Sequence, residues 1–367
     1  MTDHADILAL FSARGAGAID VPVLQPADPF LDMAGEDLRR RIFLTESETG
    51  AQLCLRPEFT IPVCLDHIAK RASTPRRYSY LGEVFRQRRE GGNEFLQAGI
   101  EDLGEPDRAE ADARSIADAH ALFRLTLPRT SLAFVIGDQA VFEAVLAALG
   151  LPRGWRMRLA RAFGAPDALS AALADLASPP RAAPLDPALE PLAIAGDEAA
   201  LTARIEADFA ASGLSPAAGR APHEVARRLV EKTALSRVRL PEAALAALKR
   251  FLAIRVPVDR AAAELAGFAA SAKLDLGAAL AGFTQRAEAM QRHGLPVGDI
   301  VYDAAFGRPL DYYTGLVFEI SVAGAARPLA GGGRYDRLLT LLGAETPIPG
   351  VGFSVWLDRV EQARSEA

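Results

Sequence analysis

The strongest constraint on the fold is an alternation. In "EFLQAGIEDLG" (94–104), Leu96, Ala98 and Ile100 alternate with Gln97, Gly99 and Glu101, the period of a β-strand with one apolar and one polar face. Gln97 and Glu101 therefore point the same way. Just upstream, "RYSYLGEVFR" (77–86) is rich in strand formers, and the intervening "QRREGGN" has the charges and glycines of a hairpin loop. Such a hairpin brings Arg86 near the polar face. After it, "EPDRAEADARSIADAHALF" (105–123) opens with acidic residues and spaces Ala109, Ala113, Ile116, Ala117, His120 and Phe123 at helical intervals. This predicts an amphipathic helix that suits its own dipole and covers the apolar side of the hairpin, with His120 as a core histidine.

The rest of the chain divides around this unit. Residues 126–297 are rich in alanine, leucine and arginine, with helical runs such as "DQAVFEAVLAALG" and "PEAALAALKRFLAI", and form a mainly helical region. Within it the proline-dense "SPPRAAPLDPALEP" (178–191) reads as a surface connection. From residue 298 the chain returns to strands, glycines and aromatics. There "FGRPLDYYTGLVFEI" (306–320) gathers an arginine, an aspartate and two tyrosines before an apolar strand, a costly cluster unless it grips a ligand. The glycines of "AGGGRYDRLL" (330–339) lack the Lys-Ser/Thr of a phosphate-binding loop and instead allow close backbone approach.

Composition narrows the function classes. Half of the 367 residues are hydrophobic, enough for a sizeable core, and no apolar run approaches the roughly 20 residues of a membrane span. The N-terminal stretch is acidic and polar, so a cytoplasmic location is expected. A net charge of -6 argues against a general nucleic-acid surface. Cys54 and Cys64 sit in apolar runs as buried thiols, and the five histidines form no metal-ligand spacing, so neither metal nor cofactor is expected.

Five ordered motifs then carry a resemblance: "LRPEFT" (55–60), "FR" (85–86) with "FLQAGIE" (95–101), "RPLDYYTGLVFE" (308–319), "GGGRYD" (331–336) and "GVGFSVWLDR" (350–359). In this order they resemble the catalytic domain of histidyl-tRNA synthetase, a class II aminoacyl-tRNA synthetase. The resemblance implies an α+β fold, an antiparallel sheet flanked by helices, built from residues 1–125 and 298–367 with 126–297 as a helical insertion. It also implies a histidine pocket. Glu58, Thr60, Gln97 and Glu101 would surround the ligand's amino and imidazole groups, Arg308 would face its carboxylate, Tyr312 and Tyr313 would line the ring, and Arg86 would stand beside them. The chemistry is coherent, because carboxylates suit an ammonium or imidazolium and a guanidinium binds a carboxylate through two parallel hydrogen bonds.

The departures from that family point elsewhere. The chain stops within about ten residues of the last motif, where a synthetase continues into an anticodon-binding domain, so no tRNA partner is expected. The hairpin loop is shorter than the loop that closes over ATP, Arg88 replaces a nucleotide-contacting glutamate, and Trp356 replaces a small glycine, although Arg86 and Arg359 remain. In these respects the chain resembles the family of synthetase-like regulatory subunits of ATP phosphoribosyltransferase. That resemblance implies a non-catalytic protein of histidine biosynthesis, self-associated as a homodimer. It would join the short-form catalytic subunit in a hetero-octamer and bind free L-histidine as the feedback signal. Two alternatives stay open: a short synthetase-like enzyme that makes an aminoacyl-adenylate for a non-tRNA acceptor, and a stand-alone histidine-binding or kinase-regulating module.

Overall fold

The computed structural model describes residues 4–33, 36–88, 91–178, 185–211, 221–237, 240–308, 310 and 312–366. Residues 89–90 of the expected hairpin loop and 179–184 of the proline-dense stretch lie outside the described residues. The chain forms two compact units, one of Met1–Val145 with Arg250–Ala367 and one of Leu146–Lys249.

The first unit is built on the expected hairpin. Strands β1 (Gly17–Ala18), β2 (Leu24–Pro26), β3 (Leu44–Glu46) and β4 (Gln52–Leu55) precede β5 (Arg76–Phe85) and β6 (Glu94–Leu103). Later come β7 (Leu132–Asp138), β8 (Arg255–Pro257), β9 (Ile300–Asp303), β10 (Leu316–Val322), β11 (Pro328–Arg334) and β12 (Gly350–Trp356). Nine of them form one sheet in the order β1-β5-β6-β12-β11-β10-β7-β9-β8, and β2, β4 and β3 form a smaller sheet. Among the described residues, only β1 with β5 and β7 with β9 pair in parallel within the large sheet. The fold is α+β with a largely antiparallel sheet.

Register decides what meets the polar face of β6. Across β5, Tyr80 lies opposite Gly99 and Gly82 opposite Gln97. Across β12, Trp356 lies opposite Gln97, Ser354 opposite Gly99 and Gly352 opposite Glu101. Directly opposed residues share a face of the sheet, so strands separated by some 250 residues of sequence furnish one wall. On the other face the helix Arg108–Thr126 packs against β6, β11 and β12, its first turn capped by Asp107, which accepts from the Glu110 N–H at 3.0 Å. That face also carries buried Asp102, held by Arg77 Nε at 3.1 Å and Arg114 Nη2 at 2.7 Å.

The second unit is helical and centres on Ala193, Leu201, Ile205 and Ala226. Its helices Glu198–Ala211 and Pro222–Arg237 pack on one another. Strands β7, β8 and the helices Val258–Ala272 and Gly277–Arg292 fall within 126–297 by sequence but belong to the first unit. Alanine and leucine dominate their surroundings, so a seven-residue strand such as "LAFVIGD" has no composition boundary to mark it.

Candidate functional site

The polar face of β6 is buried, with Gln97 and Glu101 exposed by only 1% and 0%. Around it, residues from the helix Thr60–Ala69, from the segment before β10 and from β12 line a cavity of about 160 Å³. This is small beside the roughly 300–1,000 Å³ of pockets for drug-sized ligands, and it matches a ligand of amino-acid size. Of the eight residues expected at a ligand, Glu58, Thr60, Arg86, Gln97, Arg308, Tyr312 and Tyr313 line this cavity. Glu101 stands behind the wall with 0% exposure.

Glycines on the sheet face make the room. A Cβ at Gly352 would sit 1.8 Å from Glu101 Oε2, and one at Gly331 would sit 1.2 Å from Arg308 Nη1. Both side chains lie flat on the sheet because the strand beneath offers no side chain there.

The polar groups fall into three sets. Glu101 accepts from Thr60 Oγ1 at 2.7 Å, from the Tyr80 hydroxyl at 3.3 Å, and from the Tyr335 hydroxyl. Burial pushes its carboxyl up to about 8, with Glu58 adding to the rise and the three hydroxyl hydrogen bonds opposing it. Glu58 turns inward to the start of the helix Thr60–Ala69 that follows it, accepting from the N–H groups of Thr60 at 2.7 Å and Ile61 at 2.9 Å. Its position at that helix N-terminus offsets part of its burial cost, although burial still raises its pKa. Arg308 donates from Nη1 to the Phe318 carbonyl at 3.3 Å and lies 3.4 Å from Glu319 Oε1, while its buried Nε has no hydrogen-bond partner. A guanidinium left partly unpaired beside a cavity is ready to receive an anion.

Aromatic rings complete the wall. Tyr312 and Tyr313 meet at 5.0 Å between centroids, and Tyr312 meets Tyr335 edge-on at 6.0 Å. Tyr80, Tyr335 and Ser354 were not singled out from the sequence. Tyr78, Tyr80 and Gly82 repeat with period 2 opposite Glu101, Gly99 and Gln97, so the pattern of the partner strand was the available signal for Tyr80.

Beside Trp356 a set of arginines is engaged within the protein itself. Trp356 lines the cavity, with the Arg359 guanidinium 4.5 Å from its ring centroid. The Gln97 amide oxygen, oriented toward the available donors, accepts from Trp356 Nε1 at 3.2 Å and Arg86 Nη2 at 3.3 Å. Arg86 Nε donates to the Pro57 carbonyl at 2.5 Å, and burial lowers its pKa to about 10 against the pull of Glu58. Arg88 pairs with Asp358 at 2.7 Å and covers the Phe95 ring, and Arg359 Nη1 donates to the Pro328 carbonyl at 2.6 Å. These guanidiniums are engaged with carboxylate, carbonyl and ring partners of the chain itself.

Elsewhere, both cysteines are buried free thiols, no helix among the described residues is long and apolar enough to cross a membrane, and no group of metal-ligating side chains gathers among them.

The histidyl-tRNA synthetase family model matches residues 3–229 and 219–360. An ATP phosphoribosyltransferase regulatory subunit from Mesorhizobium japonicum is 68% identical over 363 residues, covering 99% of this chain and 97% of that protein. A protein of the same description from Chelativorans sp. is 64% identical, again covering 99% of this chain and 97% of its own. The fold resembles the crystal structure of an ATP phosphoribosyltransferase regulatory subunit/histidyl-tRNA synthetase from Bacillus halodurans, with a TM-score of 0.64 at 20% identity, covering 98% of this chain and 78% of that one.

Proposed function

The chain belongs to the histidyl-tRNA synthetase-like family of ATP phosphoribosyltransferase regulatory subunits, and from that premise we propose that it is the non-catalytic subunit that senses histidine at the first step of histidine biosynthesis. In this reading it works in the cytoplasm, associates with itself as a homodimer, and assembles with the short-form catalytic subunit into a hetero-octamer. Free L-histidine binds in the cavity and leaves unchanged.

The observation that carries the reading is the polarity of an amino-acid-sized cavity beside arginines that are already engaged within the chain. Arg308 offers its guanidinium, whose Nε has no partner, to a carboxylate, Glu58 and Thr60 face the amino group, and Gln97, Tyr312 and Tyr313 surround a ring, with Arg86 beside them. Glu101 acts from behind by fixing the hydroxyls of Thr60 and Tyr335.

Reconstitution tests it. Mixed with a short-form catalytic subunit, the protein should co-elute with it, raise its phosphoribosyl transfer rate, and confer inhibition by L-histidine. A catalytic subunit whose rate and histidine response are the same with and without this protein would overturn the reading.

A further inference from the structure

Outside the cavity, four buried charged side chains form an alternating chain. Arg286 donates from Nε to Asp112 Oδ2 at 2.7 Å and from Nη1 to Asp138. The other oxygen of Asp112 receives Arg334 Nε at 2.7 Å, and Arg334 continues to the Arg108 carbonyl at 3.0 Å and to Asp336 at 2.7 Å. Asp112, Asp138, Arg334 and Arg286 are exposed by 0, 2, 4 and 7%. Burial alone would lower the pKa of both guanidiniums, but Asp138 with Asp112 outweighs it for Arg286 and Asp112 with Asp336 for Arg334, so both are raised and stay charged.

Both ends of this chain return to the segment that carries Arg308, Tyr312 and Tyr313. At one end the Arg334 carbonyl accepts from the Thr314 N–H at 2.8 Å, and Thr314 Oγ1 accepts from the Asp336 N–H at 3.0 Å. At the other end Asp138 Oδ1 caps the helix Gln139–Ala148 through the Ala140 N–H at 2.9 Å. The first residue of that helix, Gln139, donates its N–H to the Gly315 carbonyl at 2.9 Å. Thr314 and Gly315 are thus clamped by opposite ends of one circuit, and the circuit runs through the helix Gly277–Arg292 by way of Arg286.

Cohesion alone does not call for this arrangement. Apolar side chains of similar volume often join buried elements as well as or better than ions, whereas breaking one link of a buried ion chain leaves an uncompensated charge. A chain of this kind resists partial displacement, so a shift of Thr314 and Gly315 is passed on as a shift of the whole circuit.

We infer that the chain Asp138–Arg286–Asp112–Arg334 couples the cavity to the helix Gly277–Arg292, so that ligand occupancy is registered on that helix. The inference rests on the proposed histidine site and deepens it by naming the element that receives the signal.

Hydrogen exchange on the full-length protein with and without L-histidine tests it, alongside calorimetry. The double variant Asp138→Asn with Arg286→Met removes one charge of each sign, keeps an oxygen for the helix cap, and leaves the Asp112–Arg334 pair in place. In the wild type, histidine should slow exchange both around Thr314 and along residues 277–292, by about fivefold or more, the lower end of typical coupling. In the double variant, histidine should still bind and slow exchange around Thr314 only. Should that variant fail to fold, Arg286→Lys, which keeps the charge but not the fork between two carboxylates, is read the same way. Histidine binding that leaves the helix unchanged in the wild type, or that still protects it in the variant, overturns the coupling alone. Absence of calorimetric binding to the wild type overturns the site itself, and the coupling with it.

Discussion

Glu101 shows how a single residue sets the character of the cavity. With no exposed surface and three hydroxyl donors around it, its carboxyl is raised by burial from about 4.5 to about 8. Between those values the folded chain holds a proton that the unfolded chain has released. The stability contributed is therefore complete below about pH 4.5 and is lost as pH rises through about 8. Glu101→Gln cannot titrate, so the wild type should lose melting temperature relative to that variant as pH rises from about 5 to about 8. Parallel curves for the two proteins would remove Glu101 as the source. On the proposed reading Arg308 meets the ligand carboxylate, so with Arg308→Ala L-histidine should bind about 1.5–3 kcal/mol more weakly, the scale of hydrogen bonds to a charged group. Calorimetry giving unchanged affinity in a folded variant would move the carboxylate elsewhere. The sequence placed Gln97 and Glu101 on one face through their spacing, but it could not place Glu101 behind the wall, because that depends on Gly352 opposite it in β12.

At the scale of elements, local patterns were legible and distant pairings were not. The hairpin expected over 77–86 and 94–104 is β5 and β6, within one residue at each end, because period-2 alternation and a glycine loop are local signals. The helix after it is equally local: acidic first turn, helical spacing, aspartate cap. What covers the polar face of β6 comes from β12 and from the segment before β10, and no property of residues 94–104 announces either. The glycines of β11 link the two scales. Gly331→Ala puts a methyl where the Arg308 guanidinium lies, and since that guanidinium is the far end of a long side chain it can swing away. The variant should keep its fold and lose histidine affinity. Gly352→Ala meets the buried Glu101 carboxylate and the Ile100 carbonyl at 2.7 Å, so it should lower melting temperature as well. Thermal melts and calorimetry on the pair separate the two outcomes. Equal loss of stability in both would show that Arg308 is fixed by more than the space above Gly331.

At the scale of the whole molecule, an amino-acid-sized cavity lies beside arginines that are already engaged within the chain, and the proposed sensor and the rival enzyme make opposite demands on those arginines. Its helical middle was legible from composition, while β7 and the helices that border the sheet were hidden in the same alanine-rich sequence. Forming an aminoacyl-adenylate would require a triphosphate to reach guanidiniums beside the bound amino acid. Arg88 is paired with Asp358, Arg359 holds the Pro328 carbonyl and covers Trp356, and Arg86 holds the Pro57 carbonyl. A phosphate would have to displace these partners and the Trp356 ring together, with each charge-assisted hydrogen bond given up costing about 1.5–3 kcal/mol. The isolated protein should therefore bind L-histidine yet show no histidine-dependent exchange of pyrophosphate into ATP. Trp356→Gly alone should not restore exchange, because it leaves Arg88 paired and Arg359 bonded to Pro328. Exchange clearly above a no-histidine control in the wild type would favour a short synthetase-like enzyme. Exchange gained by Trp356→Gly alone would instead single out the indole ring as the sole barrier and leave the arginine pairs without a part in closing the site.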